Sequence, residues 1–167
     1  MIRVLFVCLG NICRSPMAEA VFRHQVRAAG LAGEIEADSA GTGDWHVGHP
    51  PHPGTRALLD QHGIDYAHQG RQITADDLNA FDYVLTMDDQ NLRDVRALAA
   101  PYPGCRAVVR PFLEYAPDAP VREVPDPYLV GGFEGVYHLV SEASAGLLEA
   151  IKRDRARSEF APLDTHL

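Results

Sequence analysis

The sequence has 167 residues, of which 46% are hydrophobic and 23% are charged, proportions that are ordinary for one globular domain with its own core. Its formal net charge of −8, without a long basic run, argues against a nucleic-acid partner, although a small anionic substrate is not excluded because the local field decides such binding. No segment has the length and hydrophobicity expected of a membrane span or a signal peptide.

The three cysteines, Cys8, Cys13 and Cys105, are too few and too scattered for a disulfide framework. Free thiols in such a set are typical of proteins in a reducing compartment. The sequence therefore predicts a cytoplasmic protein.

The N-terminal part of the chain predicts a strand, a helix and a second strand. Ile2–Val7 is almost continuously apolar, as is typical of a strand buried on both faces of a parallel sheet. Apolar residues then recur at helical spacing from Pro16 to about Ala29, with Ser15 as the expected N-cap. The second strand is expected at Glu34–Gly41.

The rest of the chain alternates further strands with helices. Strands are expected at 82–87 and 106–112, helices at 55–61, from Asp88 onward and at 133–151, and a short turn at 76–79. A proline-rich connection at 115–132 has no regular period. The pattern predicts a three-layer α/β domain at residues 1–155, in which helices cover both faces of a four-stranded parallel twisted sheet. A flexible C-terminal tail is expected at 156–167.

The loop between the first strand and the first helix reads CLGNICRS and places Cys8 and Arg14 six positions apart. Ligands of parallel sheets bind at the carboxyl ends of strands, which is where this loop begins. Successive backbone N–H groups of such a turn, together with the positive end of the helix dipole, form a cradle for an oxyanion. Gly10 and Asn11 tolerate the backbone angles that the turn requires.

Cys8 and Arg14 have ordinary interpretations when each is considered alone. A single cysteine at a strand end is usually a small buried hydrophobe, and a single arginine is usually solvated. Together they supply a sulfur at the base of the cradle and a planar fork that matches two phosphate oxygens. Because the cradle, Arg14 and the Ser15 hydroxyl would favour the thiolate, the loop predicts attack on phosphorus through a phosphocysteine intermediate. It is not a nucleotide P-loop, since it lacks the Gly-Lys-Ser/Thr ending.

The segment VCLGNICRSP resembles the N-terminal signature of the low-molecular-weight protein tyrosine phosphatases. Later segments resemble the same family in the expected order: DSAGT, DWHVG, HQGRQI, FDYVLTMD, NLRD and DPY. The resemblance implies a flavodoxin-like strand order 2-1-3-4, no cofactor and no metal. It also implies that Cys8 is the nucleophile, that Arg14 binds the phosphoryl group, and that the phosphate-binding loop comprises Leu9, Gly10, Asn11, Ile12, Cys13 and Arg14.

The reaction needs an acid at the leaving oxygen, and the proline-rich connection offers two candidates. Asp126 stands between Pro125 and Pro127, and two glycines further on could let the segment close. Asp118 has a similar setting, and either aspartate could simply start a turn. The family's Asp-Pro-Tyr segment resembles residues 126–128, which implies that Asp126 protonates the leaving oxygen and later deprotonates the attacking water.

The resemblance also implies a network that supports the loop. Asn11, Ser15, Ser39 and His68 correspond to the residues that hold the loop and donate to the sulfur. From the sequence alone, Ser39 and His68 would be assigned to ordinary loop or capping hydrogen bonds.

The substrate rim is expected to contain aromatic residues. Trp45 and Tyr128 would flank the pocket mouth, where flat walls stack on a phenyl ring and favour phosphotyrosine over shorter phosphoserine. Leu129 stands where the family often has a second aromatic residue, so we expect weaker stacking or a shifted preference. Relatives that hydrolyse phosphoarginine carry threonine at the position of Ile12, so Ile12 favours the phosphotyrosine substrate.

Two further groups have open interpretations. Cys13 is either a buried loop thiol or a redox residue that forms a reversible disulfide with Cys8. His46, His49 and His52 alternate with glycine and prolines, and no predicted element fixes their rings as a metal site would require.

Three alternative functions stay open beside the tyrosine phosphatase. An arsenate reductase on the same fold would need a relay of resolving cysteines, whereas only Cys105 lies downstream of the loop. A protein arginine phosphatase is disfavoured by Ile12, and a non-catalytic phosphate-binding module would not require a thiol. The expected partner is a phosphotyrosine-containing protein, such as a bacterial tyrosine kinase, with no nucleic acid and no membrane. The protein is expected to be a monomer.

Overall fold

The computed structural model, which describes residues 1–159, contains a four-stranded parallel sheet. Its strands are β1 (Ile2–Cys8), β2 (Ile35–Gly41), β3 (Tyr83–Thr86) and β4 (Val108–Pro111). They are arranged in the order β2-β1-β3-β4, and every pair is parallel, which confirms the predicted order 2-1-3-4. The chain leaves β1 for one neighbour and later returns on its other side, so the carboxyl end of β1 is the topological switch point.

Helices cover both faces of the sheet, as predicted. One face carries α1 (Arg14–Ala28), α2 (Pro53–Gln61) and the long helix α6 (Phe133–Glu159), whereas the other carries α3 (Asp77–Ala80) and α4 (Asp89–Ala99). A 3₁₀ turn at Phe112–Tyr115 follows β4, and the single-turn helix α5 (Pro127–Val130) interrupts the proline-rich connection.

β1 is buried on both faces because its side chains alternate between the two cores. Val4, Phe6 and Cys8 belong to the core beneath α1 and α6, and Leu5 and Val7 belong to the core beneath α4. The ring of Phe6 meets two other core rings edge-on, with centroid distances of 5.6 and 5.0 Å. This packing fixes the end of β1, and therefore the position of the Cys8 sulfur.

The beginning of α1 differs from the sequence prediction. The helix starts at Arg14, and the N-cap position belongs to Cys13, whose side chain makes no capping hydrogen bond. Assigning Ser15 as the N-cap was wrong, because its hydroxyl lies 3.0 Å from the Cys8 sulfur instead. The first N–H groups of α1 are thereby left without a side-chain cap.

Two other boundaries extend beyond the sequence prediction. α2 begins at Pro53, with His52 as a capping residue that accepts a hydrogen bond from the Gly54 N–H at 3.0 Å. α6 continues to Glu159, so the first four residues of the predicted tail are helical, while its residues 160–167 lie outside the described residues. Within residues 1–159, none of the helices combines the length and apolar character needed to cross a membrane.

Candidate active site

The sulfur of Cys8 lies at the base of a loop formed by residues 8–14. Cys8 is 2% exposed because it ends the buried strand β1. Its Sγ lies 3.0 Å from the Ser15 Oγ and accepts a hydrogen bond from the Asn11 N–H at 3.3 Å. Both groups are positioned to donate hydrogen bonds to a sulfur anion.

Three carbonyl groups of the loop are hydrogen-bonded to neighbouring segments, whereas three of its N–H groups are unpaired. The N–H groups of Thr42, Gly43 and His52 donate to the carbonyls of Cys8, Leu9 and Ile12, respectively, at 2.7–2.9 Å. Among the described residues, the N–H groups of Gly10, Ile12 and Cys13 have no hydrogen-bond acceptor. Unpaired N–H groups beside a helix N-terminus form a cradle for an oxyanion.

The close approach of β2 to the loop depends on Gly41. A Cβ atom at this position would lie 2.6 Å from the Leu9 carbonyl oxygen. The Gly41 N–H donates to the carbonyl of Arg71 at 2.8 Å, and the next residue donates to Cys8. The glycine in the segment DSAGT therefore lets the end of β2 fasten the loop.

Asn11 is the centre of the network that supports the loop. Its backbone has φ of 56°, a left-handed conformation that asparagine tolerates better than most residues. Its side-chain amide donates to the hydroxyls of Ser15 and Ser39 at 2.8 and 3.0 Å. Its carbonyl oxygen accepts from the Arg71 N–H at 2.9 Å and lies 2.7 Å from the His68 Nε2. The structure thus brings all four predicted support residues together.

Glu19 is a buried acid of this network that sequence reasoning missed. Its carboxylate accepts from the Ser39 hydroxyl at 3.2 Å and lies 3.3 Å from the His68 Nδ1. The two ring nitrogens of His68 therefore contact the Glu19 carboxylate and the Asn11 carbonyl, which fixes the orientation of the ring. Glu19 lies on the inner face of α1 and is 3% exposed. Burying a carboxylate costs free energy unless polar groups contact it, as Ser39 and His68 do here.

Arg14 is buried beneath the loop and oriented by Asp88, which sequence reasoning also missed. The Arg14 Nη1 donates to the Asp88 carboxylate at 2.7 Å and to the Val124 carbonyl at 3.0 Å. Burial alone would lower the pKa of Arg14, but the charges of the Cys8 thiolate, Asp88 and Asp126 outweigh it and raise that pKa above its ordinary value. Two donors of the guanidinium are engaged at Nη1, so its remaining N–H groups are available to a phosphoryl oxygen.

Asp126 lies at the mouth of the same pocket. Its carboxylate is 3.6 Å from the Arg14 Nη2 and accepts a hydrogen bond from the Tyr128 N–H at 3.0 Å as the N-cap of α5. Asp118, the competing candidate, is exposed in a turn and does not line the pocket. Of the two candidate aspartates, the structure therefore places only Asp126 at the pocket.

These groups surround one cavity of about 290 Å³. It is lined by Cys8, Leu9, Gly10, Ile12, Cys13, Arg14, Trp45, His46, Asp126, Tyr128 and Leu129. Trp45 and Tyr128 are more than half exposed, as expected of a substrate rim. His46 is a wall residue to which the sequence analysis gave no such role. A thiol, unpaired N–H groups, a guanidinium and a carboxylate thus open into one aromatic-rimmed pocket.

Comparison with known proteins agrees with this geometry. Residues 3–157 match the family described as low molecular weight phosphotyrosine protein phosphatase. The chain belongs to this family. The low molecular weight protein-tyrosine-phosphatase YfkJ of Bacillus subtilis is 46% identical over 156 residues, which cover 93% of this chain and 99% of the relative. Its crystal structure has a TM-score of 0.88 at 45% identity and covers 92% of this chain and 96% of its own.

Two further proteins extend the comparison. The low molecular weight phosphotyrosine protein phosphatase of Schizosaccharomyces pombe is 46% identical over 153 residues, which cover 90% of this chain and 97% of the relative. The crystal structure of DARP, a Drosophila arginine phosphatase, has a TM-score of 0.84 at 36% identity and covers 89% of this chain and 97% of its own. A protein named as a tyrosine phosphatase and one named as an arginine phosphatase therefore both have this fold.

Cys13, the second cysteine of the phosphatase loop, is a weak nucleophile at neutral pH. Burial, together with the charges of Cys8 and Asp126, raises the pKa of Cys13 to about 12, although Arg14 opposes the shift. Cys13 is therefore a thiol at neutral pH. The two cysteines line the same cavity and both are free.

The metal-ligating side chains near the phosphatase pocket are engaged with one another or with the protein. Among residues 1–159, Glu19, Asp38 and His68 have ligand atoms within 4.8 Å of one another. Asp38, however, is paired with Arg71 at 3.1 Å, and Glu19 with Ser39 and His68. Of the three histidines noted in the sequence, His46 and His49 have ring centroids 5.6 Å apart. His52 instead caps α2, and its ring stacks on Phe133 with a centroid distance of 5.0 Å.

Proposed function

We propose that this chain hydrolyses phosphotyrosine in proteins through a phosphocysteine intermediate. Membership of the phosphotyrosine phosphatase family implies phosphoprotein substrates. The observation that carries the proposal is the convergence of the Cys8 sulfur, the loop N–H groups, Arg14 and Asp126 on one pocket. Each group is needed by the reaction, and a binding module would need neither the thiol nor the acid.

In the first step, the Cys8 thiolate attacks phosphorus and forms a P–S bond while the bond from phosphorus to the tyrosine oxygen breaks. The loop N–H groups and Arg14 stabilise the charge on the three equatorial oxygens. Asp126 gives its proton to the departing phenol oxygen, so tyrosine leaves as a neutral alcohol. The position of Asp126, 3.6 Å from the Arg14 Nη2 that would face the phosphoryl group, supports this role.

In the second step, water attacks phosphorus and the P–S bond breaks. Asp126, now a carboxylate, accepts the proton of the attacking water. Inorganic phosphate leaves, and the thiolate is regenerated beside Ser15 and the Asn11 N–H. These two contacts stabilise the sulfur as a leaving group, because they donate to its anionic form.

The tyrosine substrate is supported over the alternatives by two residues. Ile12 lines the pocket and offers no hydroxyl to a guanidinium, which favours a phenyl ring over phosphoarginine. Cys105, the single downstream cysteine, donates its S–H to the Tyr102 carbonyl and does not line the pocket, so it supplies no relay for arsenate reduction.

We expect hydrolysis of a phosphotyrosine peptide in excess chelator, and much slower hydrolysis of phosphoarginine. An Ile12→Thr variant should lower the ratio of kcat/KM for phosphotyrosine to kcat/KM for phosphoarginine by about tenfold, since threonine adds a hydroxyl and removes apolar surface. Phosphate release measured with both substrates for both proteins tests this. Faster hydrolysis of phosphoarginine by the wild type would instead assign the protein the activity named for DARP.

We also propose the compartment, the oligomeric state and the partner from the residues of the site. A nucleophilic thiol requires a reducing compartment, which supports the cytoplasm. All groups of the site come from one chain, which supports a monomer acting on a phosphotyrosine protein such as a bacterial tyrosine kinase. We also propose that Cys13 protects Cys8 through a reversible disulfide, and that a single domain at 1–155 carries the activity without its tail.

A further inference from the structure

Exposed hydrophobic side chains are concentrated around the phosphatase pocket. Ten large hydrophobic side chains are exposed among residues 1–159, and six of these belong to three segments that border the pocket. We call these six residues the apolar collar: Leu9, Trp45, Val47, Tyr128, Leu129 and Val130. Such a concentration of exposed apolar surface is typical of an interaction site.

The apolar collar extends past the pocket that holds the phosphotyrosine side chain. Leu9, Trp45, Tyr128 and Leu129 line the cavity, whereas Val47 and Val130 do not. Val130 is 80% exposed and Val47 is 54% exposed. A cavity of about 290 Å³ suits one aromatic side chain with its phosphate, so residues beside the phosphotyrosine must lie outside it, over the collar.

The charges around the collar are unfavourable to acidic residues of a substrate, because four carboxylates and two arginines line the pocket and the cavity next to it within residues 1–159. Arg14 is the one lysine or arginine that lines the pocket within residues 1–159, and it is engaged with Asp88 and with the phosphoryl group. A second cavity on the far side of Arg14 and Asp126 is lined by Asp88, Asp89 and Glu123, with Arg122 as its other cation. Carboxylates of a substrate placed here would meet carboxylates of the protein, which is unfavourable.

We propose that the apolar collar selects phosphotyrosine sites whose neighbouring residues are large and apolar, and disfavours sites with acidic neighbours. This inference rests on the proposed phosphatase function and names the substrate class of that site. Its physical basis is the apolar area removed from water on Val47, Leu129 and Val130 when a peptide lies over them.

The test uses three phosphotyrosine peptides that differ only in the residues on either side of the phosphotyrosine, which are leucine, alanine or glutamate. We expect kcat/KM for the leucine peptide to exceed that for the glutamate peptide by roughly tenfold, mainly through KM. In a Val47→Ser, Val130→Ser double variant, this ratio should fall to about threefold or less. Val108→Ser is the matched control, because Val108 is an exposed valine on the edge strand β4 and does not line the pocket, and it should keep the ratio.

The outcomes separate the inference from the function on which it rests. If neither the peptides nor a small aryl phosphate is hydrolysed, the phosphatase function fails and the inference fails with it. If all three peptides react at equal rates while the aryl phosphate is hydrolysed, the function stands and the collar inference is overturned. It is also overturned if the double variant keeps the peptide ratio but changes the sedimentation of the free protein, because the collar would then be a self-association surface.

Discussion

A Cys8→Ser variant is expected to hydrolyse phosphotyrosine at least about 10⁴-fold more slowly than the wild type. A serine hydroxyl is not ionised at neutral pH, so the cradle would hold an oxyanion above a group that cannot attack it. Phosphate release in a continuous assay measures the loss. Cys105→Ser is the matched control, because this half-buried cysteine lies outside the pocket and its variant should retain full activity.

The Cys8→Ser variant should still bind inorganic phosphate, since the loop N–H groups and Arg14 are unchanged. Trp45 is the single tryptophan of the sequence and stands at the pocket rim, so its fluorescence reports this binding. A serine variant that binds phosphate but does not turn over separates loss of the nucleophile from loss of the fold. Rapid hydrolysis by this variant would rule out Cys8 as the nucleophile.

An Asp126→Asn variant is expected to lose about 10²–10⁴-fold in kcat on phosphotyrosine. Asparagine keeps the capping hydrogen bond from the Tyr128 N–H, so α5 should be preserved while the transferable proton is removed. The loss should be smaller for an aryl phosphate whose phenol is more acidic, because that leaving group needs less protonation.

Asp118→Asn is the control for this second variant. Asp118 is an exposed carboxylate in the same proline-rich connection and outside the pocket, so its variant should keep the wild-type kcat on both substrates. Equal losses of kcat in the Asp118→Asn and Asp126→Asn variants would argue against a general acid at Asp126. The same holds if the loss of kcat in Asp126→Asn is independent of the acidity of the phenol.

The residues that could be predicted from the sequence are those whose partners are near in the chain. β1 is a continuous apolar run, and Cys8 and Arg14 belong to one short loop, so their geometry follows from local rules. Asp126 could not be separated from Asp118 on such grounds, because both are flanked by similar residues. The family resemblance favoured Asp126, and the geometry of the pocket agrees with it.

The groups that the sequence did not reveal depend on distant parts of the chain. Asp88 contacts Arg14 across 74 positions, and the sequence suggested only that Asp88 begins a helix. Glu19 falls on the inner face of α1, where its partners Ser39 and His68 are visible only once the sheet forms. Ser15 was assigned as a helix cap because serine usually has that role, yet the sulfur of Cys8 competes for its hydroxyl. The four-residue helix α5 is too short to show a period.

The central claim is that the Cys8 sulfur carries the phosphoryl group during turnover, and the intermediate itself tests it most directly. The Asp126→Asn protein is mixed with a phosphotyrosine peptide, quenched in alkaline denaturant within the first turnover, digested and analysed by mass spectrometry. We predict one phosphoryl group on the peptide that contains Cys8, rising as tyrosine is released and decaying as phosphate appears. Tyrosine release with an unmodified Cys8 peptide at every time point would contradict the account.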